Sequence, residues 1–115
     1  MRKLSSTNAL NEANLIRNCG VVYALTLIGG RWKPAILFSL LGGTMRYNQL
    51  LRTIPGISER MLAAQLRELE KDGLVKRTIY AEMPQRVEYD LTAPGLSAGP
   101  LLHTMSDWGN RLRPE

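Results

Sequence analysis

Apolar and polar residues repeat along this chain with two periods, and the changes of period mark its elements. From Glu59 to Asp72, Leu62, Leu66 and Leu69 recur at helical spacing, with Met61 and Gln65 at the edge of the stripe. From Arg86 to Leu91 the period shortens to a strand's. Val87, Tyr89 and Leu91 fall on one face and Arg86, Glu88 and Asp90 on the other. Leu74 to Tyr80 alternates less regularly, and Ala81 to Gln85 joins the two runs into a β-hairpin. Upstream, Leu15, Cys19, Val22 and Leu25 or Thr26 lie roughly on one side of a helix expected over Asn11 to Leu27. Ala35, Ile36, Leu37, Phe38, Leu40 and Leu41 make the next helix apolar nearly all round, which predicts a central core helix. Leu101, Met105, Trp108 and Leu112 recur at i, i+4, i+7 and i+11 on a final helix.

Breakers and caps bound these segments. Ile28-Gly29-Gly30 ends the first helix, and Pro34 is tolerable only in the first turn of the second. Gly42-Gly43 stops that helix, and Thr44 to Tyr47 reads as a short extended piece. Asn48 is expected to cap a brief helix over Gln49 to Ile54. Pro55-Gly56 then makes a turn, Ser58 caps the helix that follows, Glu59 suits its positive end, and Gly73 stops it. Thr92 caps the last helix, which has Pro94 in its first turn; Pro100 kinks it or delays its start. Residues 1–10 read as a loose polar tail. The rest, 11–115, reads as one domain of helix, helix, short strand, helix, helix, two-stranded hairpin and helix. This is an α+β, mainly α, winged helix-turn-helix with a two-stranded wing.

The face of the Glu59–Asp72 helix opposite its leucines carries Arg60, Ala63, Ala64, Arg67 and Lys71. It is basic, and its two small residues allow close approach, as a DNA-reading helix requires. Composition agrees. The 115 residues carry a net charge of +5 and 44% apolar residues, enough for one modest core and a polyanionic partner. One Cys excludes an intrachain disulfide and a multi-Cys zinc site, and a single His argues against a catalytic or metal-binding His system. There is no Gly-rich phosphate loop, so neither an enzyme nor a cofactor is expected. The basic start Met1-Arg2-Lys3 is followed by polar residues, and the apolar run Val21 to Ile28 is too short to cross a bilayer. A cytoplasmic protein without a membrane partner is the expectation.

Several motifs look familiar in order and spacing. They are Ile28-Gly29-Gly30-Arg31-Trp32, Arg46-Tyr47-Asn48-Gln49-Leu50, Pro55-Gly56-Ile57-Ser58, the run Met61-Leu62 to Gln65-Leu66-Arg67-Glu68-Leu69-Glu70 with Asp72-Gly73-Leu74-Val75, and Pro84-Gln85-Arg86-Val87-Glu88-Tyr89-Asp90-Leu91-Thr92. Over roughly 19–109 the chain resembles the HxlR-type family of bacterial regulators, relatives of the MarR-like winged-helix proteins. The resemblance implies a homodimeric transcription factor on a pseudo-palindromic operator in double-stranded DNA, with the dimer built largely from the first and last helices. Leu15, Val22, Leu25, Leu101, Met105, Trp108 and Leu112 are then the candidate dimer-interface residues. Two features depart from the family pattern. Gly20 follows Cys19 where Pro is common, and Leu96-Ser97-Ala98-Gly99 is lighter than usual.

Candidate DNA contacts follow from this frame. Arg60 is placed to read a base edge, with Arg67 a turn and more beyond it; Glu59 and the capping Ser58 stand at the helix start, Ser58 also near a phosphate. Ala63 and Ala64 admit the backbone or touch a thymine methyl. Arg46 and Asn48 occupy phosphate-facing positions, and Gln85 and Arg86 sit at the wing. Trp32 reads as core packing. Cys19 is either a small buried hydrophobe or a redox-sensing thiol, the second reading being raised by the resemblance. With no second Cys, a protein disulfide must join two subunits; otherwise a small molecule caps the thiol. Two alternatives stand beside the redox-responsive regulator: a regulator switched by a non-covalent small-molecule ligand, and a winged-helix module for protein–protein contact.

Overall fold

The computed structural model describes residues 7–114. The described residues fall into two compact units, divided after Gly30.

The first unit holds α1 (Thr7–Asn18) and α2 (Gly20–Ile28). Thr7 to Leu10 are therefore helical rather than part of a loose tail; the rest of that tail, residues 1–6, lies outside the described residues. The single helix expected over Asn11 to Leu27 is instead broken at Cys19, whose backbone is extended (φ −124°, ψ 112°). The break is one residue long. Cys19 N–H still donates to Leu15 O (2.8 Å), and Tyr23 N–H donates to Cys19 O (3.0 Å). Gly20, Val21 and Val22 are poor helix formers, which lowers the cost of leaving the helix here. No residue of α1 is buried, and Leu10, Leu15, Val21, Tyr23 and Leu25 are exposed.

The second unit runs α3 (Lys33–Leu40), β1 (Met45–Arg46), α4 (Tyr47–Thr53), α5 (Glu59–Lys71), β2 (Val75–Tyr80), β3 (Arg86–Leu91), α6 (Ala93–Ser97) and α7 (Gly99–Leu112). Its sheet is antiparallel in the order β1-β3-β2. The hairpin register runs from Val75 opposite Leu91 to Tyr80 opposite Arg86, and Met45 pairs Tyr89. The short extended piece thus becomes a third strand. Ile36, Leu37, Leu50, Leu62, Leu66, Leu69 and Val75 are fully buried. Each contributes roughly 1.5–3 kcal/mol by leaving water, and the leucine stripe of α5 holds that helix against α3 and the sheet.

Local chemistry fixes the joints. α4 starts earlier than expected. Arg46 rather than Asn48 is its cap residue, and Arg46 N–H donates to the Gln49 side-chain oxygen at 2.8 Å. Ser58 Oγ accepts from Met61 N–H at 3.1 Å, capping α5 as the sequence indicates. Gly73 ends α5 with φ +77°, and Leu74 N–H bonds Leu69 O (2.9 Å) while Gly73 N–H bonds Glu70 O (3.1 Å). That pair of bonds closes the helix and demands a residue free to enter the left-handed region. Thr92 accepts from Gly95 N–H (3.1 Å) and donates to Gly73 O (2.6 Å), so one hydroxyl ties the wing's exit to the stop of α5. Gly95 also permits close packing, since a Cβ there would lie 2.1 Å from Leu74 O. The last helix divides at Ala98, and Pro100 falls in the first turn of α7.

Candidate nucleic-acid interface

A helix that reads DNA must be held rigidly on one face and be bare on the other. α5 meets both needs. Leu62, Leu66 and Leu69 are buried, whereas Arg60, Arg67 and Lys71 are exposed and Ala63 and Ala64 half-buried. Gln65 is half-buried at the core edge, its amide against Met61 Sδ at 3.4 Å. The exposed face therefore presents cations around two small side chains, with Glu59 exposed in the first turn.

Two tethers that the hydrophobic pattern did not reveal orient this helix. Tyr47 Oη donates to Glu59 O at 2.6 Å, joining the start of α4 to the start of α5. Partial burial, then the neighbouring Glu59 charge, raise the Tyr47 pKa, so the phenol stays protonated and able to donate. Lys33 is 8% exposed at the start of α3, and its Nζ donates to Glu68 Oε1 at 2.9 Å. That hydrogen bond, with the Lys33 charge, holds the Glu68 carboxyl below its ordinary value. The pair also neutralises a carboxylate on a helix whose free face is basic. From sequence Lys33 reads only as the residue before a helix-starting proline; no period marks a lysine whose stem is buried and whose head reaches a partner.

Arg46 and Asn48 are brought together with the wing. With Tyr47 they line a cleft of about 400 Å³ whose other wall is formed by residues 82–87, Gln85 and Arg86 among them. The same two residues, with Gln49 and Arg52, line a second hollow of about 440 Å³. Arg52 is an exposed cation that the sequence did not single out. Arg86, by contrast, is occupied. Its Nη1 lies 2.9 Å from Glu82 Oε2, and its Nε lies 3.1 Å from Glu88 Oε2 in an ionic contact without hydrogen-bond alignment. Its guanidinium stacks 4.1 Å over the Tyr80 ring. Arg86 thus braces the hairpin. At the tip Gln85 is exposed, and Met83 stands 98% exposed.

The candidate dimer residues remain uncovered. On α7, Trp108 (59%) and Leu112 (66%) are open to solvent, and Leu101 and Met105 are exposed beside them, while Leu102 faces the core. On α1 and α2, Leu15 and Leu25 are exposed and Val22 half-buried. Cys19 is a free, half-buried thiol beside an apolar hollow of about 600 Å³ that Ile16, Arg17 and Tyr23 help to line. Trp32 is half-buried, with the Arg31 guanidinium 4.8 Å above its ring. Among the described residues no group of three or more His, Cys, Asp or Glu is placed to hold a metal, and no helix is long and apolar enough to cross a membrane.

This arrangement, a capped basic helix behind a tight turn with a hairpin wing beside it, defines a winged helix-turn-helix. Residues 27–115 match the HxlR-like helix-turn-helix family, and the chain belongs to that family. It is a transcriptional regulator of the HxlR and MarR type. It is 42% identical over 95 residues to the HTH-type transcriptional regulator YdeP of Bacillus subtilis, covering 83% of this chain and 74% of that one. Among solved structures it is similar to the redox regulator HypR in its oxidized form, with a TM-score of 0.80 and 41% identity, covering 84% of this chain and all of that one. A MarR-family structure from Porphyromonas gingivalis is likewise similar, with a TM-score of 0.80 and 34% identity over 97% of this chain and all of that one.

Proposed function

We propose that the protein is a homodimeric, sequence-specific DNA-binding regulator that sets α5 into the major groove of each half of a pseudo-palindromic operator. The observation that carries this reading is the bare basic face of α5, held by a buried leucine stripe and two polar tethers. Arg60 reads base edges; Ser58, Arg46 and Asn48 contact phosphates; Ala63 and Ala64 admit the groove wall, and Gln85 follows the backbone from the wing. The second copy covers the exposed stripe of α7 and the apolar side chains of α1 and α2, which bury too little within one chain to justify their composition. A basic protein of this composition, without a membrane-spanning helix among its described residues, does this work in the cytoplasm.

Modification of Cys19 is the switch this reading favours, supported by the similarity to a redox regulator and by a free thiol at the break between α1 and α2. The test of the reading is selection of bound fragments from random duplexes. Enrichment of a two-fold-related sequence, with binding that weakens steeply in salt, is the expected result. Recovery of unselected sequence, or no duplex binding, would overturn it and leave protein–protein contact as the function.

A further inference from the structure

The arginine nearest the tip of the wing is not a free cation. Arg86 is engaged by Glu82, Glu88 and Tyr80. Arg77, on β2 opposite Tyr89, is exposed, and its side chain makes no hydrogen bond or ion pair among the described residues. It lines a cleft of about 360 Å³ between α5 and the wing, together with Ala63, Leu66, Arg67, Glu70 and Tyr89. The Arg67 side chain likewise has no hydrogen-bond or ion-pair partner there. We infer that Arg67 and Arg77 together grip one backbone phosphate of bound DNA in this cleft. The inference rests on the DNA-binding reading above and names a wing cation other than the two wing candidates of the sequence, Gln85 and Arg86.

Two guanidinium charges face one carboxylate, Glu70, so the cleft keeps an excess of one positive charge for an anion. Guanidinium forks match the geometry of phosphate oxygens and are weakly hydrated, so they give up water readily. Ala63 keeps the α5 wall low, and Tyr89, 7% exposed, supplies a rigid base. One arginine comes from the reading helix and the other from the wing. A phosphate held by both therefore fixes how far the wing stands from α5 on the duplex. Such a contact sets register and carries no sequence information itself.

The test compares wild type, Arg77→Gln and Arg77→Lys on selected and random duplexes across a salt series. Arg77 is exposed, so the variants are expected to fold, and their melting curves check this. Arg77→Gln should weaken binding to both duplexes alike, with the slope of log K against log salt falling in magnitude by about 0.9, one phosphate's worth. Arg77→Lys keeps the charge and should restore the slope. Because both arginines serve one phosphate, losses from Arg67→Gln and Arg77→Gln should be non-additive in the double variant. An unchanged slope in Arg77→Gln, a loss confined to the selected duplex, or additive losses would overturn the inference. Absence of salt-dependent duplex binding by wild type is a different failure, that of the DNA-binding reading itself.

Discussion

Arg60 stands exposed two residues beyond the Ser58 cap, on the side of α5 opposite Leu62. In the DNA-bound arrangement proposed above, a side chain there meets the groove first. Arg60→Ala should cost about 1–3 kcal/mol of binding to a selected duplex and much less on a random one. Titration of both duplexes at one salt concentration separates the cases, and equal losses would demote Arg60 to a phosphate contact. Glu68 gives a prediction in pH. Its folded pKa lies below the ordinary 4.5 because Lys33 donates to the charged form. The stabilisation is therefore complete above that ordinary value and is lost as pH falls through the lower, folded one. The melting advantage of wild type over Glu68→Gln should be constant near neutrality and shrink below about 4.5. An advantage that persists undiminished into strong acid would show that the ion pair is not its source.

At the scale of elements, α5 is held by its cap as well as by its leucines. Ser58→Ala removes the acceptor for Met61 N–H and should cost about 0.5–2 kcal/mol in chemical denaturation. An unchanged midpoint would mean that the helix start is fixed by the Tyr47 tether alone. The elements legible in the sequence were those with a clear period and a chemical stop. β3 lies over Arg86–Leu91 as expected, and α5 ends one residue before the expected Asp72. The break at Cys19 was not legible, because the apolar spacing of Leu15, Cys19, Val22 and Leu25 continues through it while the backbone does not. The start of α4 was displaced because Gln49, the third residue of the helix, accepts the Arg46 N–H, whereas Asn48 suited the cap position on residue type alone. The site followed the same division. Cations on one helix face could be read from spacing, but whether an arginine is free or occupied depends on its neighbours across the hairpin. Arg86, a wing candidate in the sequence, is engaged by Glu82, Glu88 and Tyr80, which only the hairpin register brings to it.

At the scale of the whole molecule, the homodimer proposed above would cover the exposed Trp108, Leu112, Leu15 and Leu25 and present two reading helices about one DNA turn apart, roughly 34 Å. Modification of Cys19 can loosen DNA binding only by its differential energy between two dimer arrangements. Mild oxidant should lower duplex affinity, thiol reductant should restore it, and Cys19→Ser should bind but not respond, with mass spectrometry locating the adduct. If Cys19→Ser still loses affinity under oxidant, the thiol is a packing residue. The most direct measurement of the central claim is sedimentation of the reduced protein at micromolar concentration, alone and with a selected duplex. A dimer that binds as two chains per duplex, with Trp108→Ala weakening dimerisation and DNA binding together, is the predicted result. A monomer that occupies the palindrome with full affinity would contradict it.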